Sequence, residues 1–242
     1  MPFTEIKRTP FNDEVIDRKY EINDLNGNYE KGKLINKIGK KHDQEIIGSG
    51  RDSVVIPIEG SNDVVEAFDY SHDASVYMAK NMYYTHKMLS KVFPHNFPKI
   101  YASFGAKYDD PEDERVTGTI REKIKSRDWI AFIKARSKGT AYKYPISEMK
   151  KTSEEIGMPV YLDEGIDDNF IVNEKGEEMY VDRTYADLDT WDLDKIKNYM
   201  EKNNYKDRDV RIVENSFNRL KELDKEQDES LKKLREEEAF EF

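Results

Sequence analysis

The sequence predicts an α+β fold: an antiparallel sheet with one helix in the first half, then a mainly helical part interrupted by a short hairpin. Three observations carry this. Two β-branched runs, 53–58 and 64–68, flank the turn-forming Gly60-Ser61-Asn62-Asp63, which is the pattern of a hairpin. Val76, Tyr77, Tyr83, Tyr84, Met88 and Val92 fall near one face of a helix. From residue 187 onward, apolar positions again recur at helical spacing, with Leu188, Trp191, Leu193, Ile196 and Met200 in one group and Val213, Phe217, Leu220 and Leu223 in the next.

Taken in order, residues 1–43 form a charged, Asn- and Gly-containing arm (Asn23, Asn26, Gly27, Asn28) with a basic stretch at 37–42. Pro94 and Pro98 stop the first helix, because proline lacks the N–H that an interior turn needs. Strands are then expected at 100–104 and 116–120, on either side of a charged loop at 109–115. Residues 127–157 read as two helical pieces, one with Trp129, Ile130, Phe132 and Ile133 as its apolar face, the other at 147–156 with Gly157-Met158-Pro159 as its stop. Segments 168–172 and 179–182 flank Asn173-Glu174-Lys175-Gly176 and predict a second hairpin. Beyond Asp224 a Glu/Lys/Asp run with only Leu231 and Leu234 before Ala239 and Phe240 predicts a solvated helical tail. The expected divisions are 1–43, 44–122, 123–224 and 225–242.

Composition narrows the function classes. A net charge of −10 and an isoelectric point near 5.1 argue against nucleic acid or an anionic membrane as the main partner, since both need a basic face. Mean hydropathy is −0.91, yet 15 Tyr, 11 Phe and 2 Trp supply bulky core material. Without cysteine, disulfides and Cys-ligated metals are excluded, which fits a reducing compartment. With no apolar run of spanning length and no apolar signal region at the start, a cytoplasmic location is expected.

Three constellations could carry chemistry. Gly48-Ser49-Gly50-Arg51-Asp52-Ser53 places two glycines in a strand-flanked loop, where backbone N–H groups can approach phosphate oxygens unobstructed; a plain tight turn is the other reading. Asn169 and Asp182 stand thirteen residues apart on a predicted hairpin, where an amide oxygen and a carboxylate suit a hard cation such as Mg²⁺; turn and cap roles are the alternative. Asp163, Glu164, Asp167 and Asp168 form an acidic cluster that could supply a general base or be simply solvated.

In their order and spacing these blocks resemble the protein-kinase-like superfamily, including the aminoglycoside-type small-molecule phosphotransferases, over residues 46–185. The resemblance implies a two-lobed fold with a reduced helical C-lobe. It makes Gly48, Ser49, Gly50, Arg51 and Ser53 part of the nucleotide-covering loop. Asn169 and Asp182 become the metal-binding pair, Glu164 stands in for the catalytic aspartate, and ATP with Mg²⁺ are the implied cofactors. The departures bear on function. Glu66 stands where such proteins carry a nucleotide-gripping lysine, and no acid occurs between Asp73 and Asp109 to serve as its partner. Arg51 or Lys80 could replace the missing cation. After Asp182 nothing resembles an activation segment. The leading expectation is a catalytically impaired, pseudokinase-type domain that acts by binding a protein partner, with or without nucleotide. The alternatives are an atypical phosphotransferase and an assembly protein, of bacteriophage kind for instance, that binds no nucleotide.

Overall fold

The computed structural model describes residues 14–15, 48–49, 53–57, 64–71, 76–106, 115–125, 143–163, 169–182 and 184–238. The chain is of the mixed helix-and-sheet class, with four helices and two sheets among the described residues. It divides into two compact units, Met1–Ala79 with Pro98–Lys125, and Lys80–Phe97 with Ser126–Phe242.

The first unit is built on a six-stranded sheet. Its strands are β1 (Glu14–Val15), β2 (Gly48–Ser49), β3 (Ser53–Pro57), β4 (Val64–Ser71), β5 (Ile100–Ala106) and β6 (Arg115–Glu122), in the spatial order β1-β5-β6-β4-β3-β2. Neighbours from β2 to β6 pair antiparallel, whereas the short β1 pairs parallel with β5. The arm thus contributes one strand to the sheet edge. Val54 opposite Phe68 and Val55 opposite Ala67 fix the register of the expected hairpin. β4 continues to Ser71 because every residue from Val64 onward finds a ladder partner on β6. At the far end the Glu122 N–H donates to the Lys99 carbonyl at 2.8 Å, while the Lys99 N–H donates to the Glu122 carboxylate at 3.2 Å. This reciprocal pair closes the open end of the β5–β6 ladder.

Helix α1 (Val76–Val92) begins in the first unit and runs into the second. It ends where expected: Phe93 N–H still reaches the Leu89 carbonyl at 2.7 Å, and Pro94 follows. The second unit adds α2 (Ile146–Glu155), β7 (Phe170–Val172), β8 (Glu178–Tyr180), α3 (Leu193–Lys202) and α4 (Asp207–Glu238). Its core gathers Met88 and Leu89 of α1, Ile196 and Met200 of α3, and Val213 and Leu220 of α4, all essentially inaccessible to water. Each such side chain contributes about 2 kcal/mol of burial energy.

Two helix ends share one solution. After α2, Gly157 takes φ +68°, its N–H meets the Glu154 carbonyl, and the Met158 N–H reaches back to the Ser153 carbonyl at 2.7 Å. After α3, Asn204 takes φ +57°, with Asn204 N–H to the Glu201 carbonyl and Tyr205 N–H to the Met200 carbonyl. Both are left-handed caps that satisfy the last carbonyls of their helices.

Local boundaries differ from expectation in two places. The helix expected to start near Leu188 starts at Leu193, because the Asp192 side chain accepts the Lys195 N–H at 3.1 Å and caps it there. Trp191 is instead buried ahead of the helix, its indole N–H donating to the Pro159 carbonyl at 3.0 Å. The last expected helix and the charged run are one element, α4, continuous to Glu238. The Gly60-Ser61-Asn62-Asp63 turn and the helical piece around Trp129 lie outside the described residues.

Candidate functional site

The β7–β8 hairpin builds the centre of the candidate site. Its register pairs Phe170 with Tyr180 and Val172 with Glu178, and Gly176 at φ +82° makes the turn. Asn173 Oδ1 accepts the N–H groups of Lys175 and Glu177, both at 3.0 Å, so one side chain holds the turn closed. At the open end the ladder continues by one bond, from Val181 N–H to the Asn169 carbonyl at 2.9 Å. Asn169 and Asp182 are therefore brought to adjacent strand ends. Asn169 is buried, and its amide donates to the Asp163 carbonyl at 3.1 Å. With the amide N–H₂ engaged, Oδ1 is the group left to accept a donor or a cation. Asp182 is half-buried at the bend that follows β8.

The segment after Asp182 is held from two directions. The Thr184 hydroxyl, on a buried residue, donates to the Tyr161 carbonyl at 3.3 Å. Two residues on, the Ala186 N–H reaches the Thr85 hydroxyl oxygen at 3.0 Å and the Asn81 Oδ1 at 3.4 Å, both on α1. The Thr85 hydroxyl in turn donates to Asn81 Oδ1 at 3.1 Å.

On the turn side of the hairpin lies a second polar group. His95 Nδ1 stands 2.8 Å from Glu177 Oε1, and Asn173 Nδ2 donates to Glu177 Oε2 at 2.6 Å. Asn96 donates through Nδ2 to the carbonyls of Tyr144 and Glu178, and its own carbonyl accepts the Tyr180 N–H. Burial alone would raise the Glu177 carboxyl. The hydrogen bonds from Asn173 and His95, with the charges of His95 and Lys175, outweigh it and hold the group below its ordinary range.

Of the residues singled out in the sequence, Gly48, Ser49 and Ser53 lie on β2 and β3 of the first unit, with Gly48 opposite Val55 and Ser49 opposite Val54. Glu66 sits mid-strand in β4, in register with Ile56 and Ile120. Lys80 is half-buried on α1 and, like Asn169 and Asp182, belongs to the second unit. Gly50, Arg51 and Glu164 lie outside the described residues. Among the described residues no three His, Asp or Glu side chains cluster closely enough to cage a metal. A Mg²⁺ ion held by one or two protein oxygens plus phosphates and water does not need such a cage.

Asn81, Thr85 and the His95–Glu177 pair were not anticipated. The available signal was Asn81 and Thr85, two short polar residues four apart on a helix and so on one face, in line with the apolar Met88 and Val92. Comparison with known families, curated proteins and solved structures gives no match. No helix among the described residues is long and apolar enough to cross a membrane.

Proposed function

We propose that the chain is a degenerate kinase-like domain that acts by binding, with an Asn169–Asp182 pair suited to one Mg²⁺ ion and its nucleotide. The observation that carries this reading is the juxtaposition of those two residues across the open end of a hairpin, with the Asn169 amide oriented by the Asp163 carbonyl. The element order supports it. A glycine-bearing hairpin, a further strand, a helix and two more strands precede the Asn–hairpin–Asp unit, which is the order the resemblance implies.

The reading of impaired transfer rests on charge. Phosphoryl transfer depends on positioning and on neutralising the phosphates. The strand position for a cation carries Glu66, and α1 has no acidic residue. On this proposal Asn169 Oδ1 and the Asp182 carboxylate would hold the metal, and the complex would serve recognition by a protein partner.

A thermal-shift titration with ATP and GTP, with and without Mg²⁺ or Mn²⁺, tests the proposal. A ligand at a hundred times its dissociation constant stabilises by about 2.7 kcal/mol. The expected result is a metal-dependent rise in Tm that Asp182→Ala abolishes, without measurable transfer. No shift at millimolar nucleotide would remove the nucleotide site from the proposal. Vigorous transfer would favour the atypical phosphotransferase, for which the half-buried Lys80, one residue ahead of the Ala186-binding Asn81, is the candidate cation.

A further inference from the structure

We infer that Thr85 and Asn81 form a polar latch through which α1 positions Asp182. The inference rests on the proposed nucleotide reading for its functional half, but its structural half stands on hydrogen bonds alone. Thr85 is fully buried and Asn81 is 4% exposed. A buried polar pair is costly to desolvate unless each member finds partners. Here the hydroxyl donates to the Asn81 oxygen, and both oxygens converge on one backbone N–H, that of Ala186. The target lies 105 residues from Asn81 in sequence but only four beyond Asp182.

Asp182 is therefore fixed from both sides. Upstream, the Val181 N–H is bound to the Asn169 carbonyl; downstream, Thr184 is bound to the Tyr161 carbonyl and Ala186 to α1. These three bonds flank Asp182 within six residues of chain. A segment that must order on activation would lack such anchors. The latch makes the Asp182 position a built-in property of the second unit, held in part by α1 through the Ala186 N–H. Thr85 and Asn81 are positioning residues in this scheme, since they act on Asp182 through Ala186.

The test uses the full chain with Thr85→Val, which keeps the side-chain shape and removes the hydroxyl, and Thr85→Ser, which restores the hydroxyl. Amide hydrogen exchange at Ala186 is read by NMR, alongside the Mn²⁺–ATP thermal shift. Thr85→Val is expected to speed Ala186 exchange and to weaken Mn²⁺–ATP binding about tenfold, as loss of a buried hydrogen bond predicts. Thr85→Ser is expected to recover both. Unchanged Ala186 protection in Thr85→Val would overturn the latch. Faster exchange with unaltered Mn²⁺–ATP affinity would overturn its positioning role. If the wild-type chain gives no Mn²⁺–ATP shift, the proposed function fails while the latch is still judged by exchange at Ala186.

Discussion

His95 and Tyr144 lie face to face, their ring centroids 3.9 Å apart and their planes within 6° of parallel. Tyr144 reaches this position with φ at +59°, a left-handed conformation that a bulky residue rarely adopts. Its carbonyl, turned by the same backbone, accepts the Asn96 amide at 2.7 Å. Strain at one residue is thus balanced by a ring contact and a hydrogen bond.

That balance predicts a rank order. Tyr144→Ala loses the stacking and keeps the left-handed strain, whereas Tyr144→Gly loses the stacking and relieves it. The glycine variant should be more stable than the alanine variant by about 1 kcal/mol. Chemical denaturation of the two proteins side by side reads the difference, and equal stabilities would show that the backbone is not strained.

Glu177 predicts a pH dependence. Its carboxyl is held below its ordinary range in the folded chain, burial notwithstanding, by Asn173, His95 and Lys175. A depressed acid contributes stability that is complete above its unfolded value and lost as pH falls through its folded value. Tm should therefore decline on acidification below about 4.5, and Glu177→Gln should flatten that limb. An unchanged acid limb in the variant would place the effect elsewhere.

Asn169→Asp replaces the donating amide with an oxygen facing the Asp163 carbonyl, which now stands 3.1 Å from the amide nitrogen. The exchange should cost about 1–3 kcal/mol, because it loses a bond at a buried residue and sets two acceptors together. Thermal melts of the two proteins decide it; a neutral outcome would mean that the amide is not oriented by Asp163.

The inner and outer parts of α4 should differ sharply. Leu220 is fully buried, and Leu220→Ala should cost about 3 kcal/mol through lost transfer energy and the cavity left behind. The Lys225 side chain is 79% exposed and 3.9 Å from Glu229, so Lys225→Ala should stay within about 0.5 kcal/mol of wild type. Urea unfolding of the two variants gives both numbers.

Much of the architecture was readable because it follows from local pattern. The expected β-branched runs 53–58 and 64–68 pair through Ser53–Pro57, α1 spans its apolar stripe, and the Asn173-Glu174-Lys175-Gly176 turn closes β7 on β8. The start of α3 was not readable from apolar spacing, since Leu188 and Trp191 fit the helical face yet pack ahead of it. There a cap and a distant carbonyl, that of Pro159, decide the boundary. The same holds at the site. Asn169 and Asp182 are linked by a hairpin that sequence can suggest, whereas Ala186 meets Asn81 and Thr85 across more than a hundred residues, a pairing that only the tertiary fold creates.

The cap after α2 has a further consequence. The Gly157 carbonyl accepts the N–H of Asp192, the residue that caps α3, at 2.7 Å, and a Cβ added at Gly157 would stand 2.9 Å from the Asp192 Cβ. Gly157→Ala would push the two apart while forcing alanine into a left-handed backbone. The end of one helix and the beginning of another are thus a single joint. Such a joint couples their fluctuations, so that the last turn of α2 and the first of α3 open as one cooperative unit rather than fraying separately.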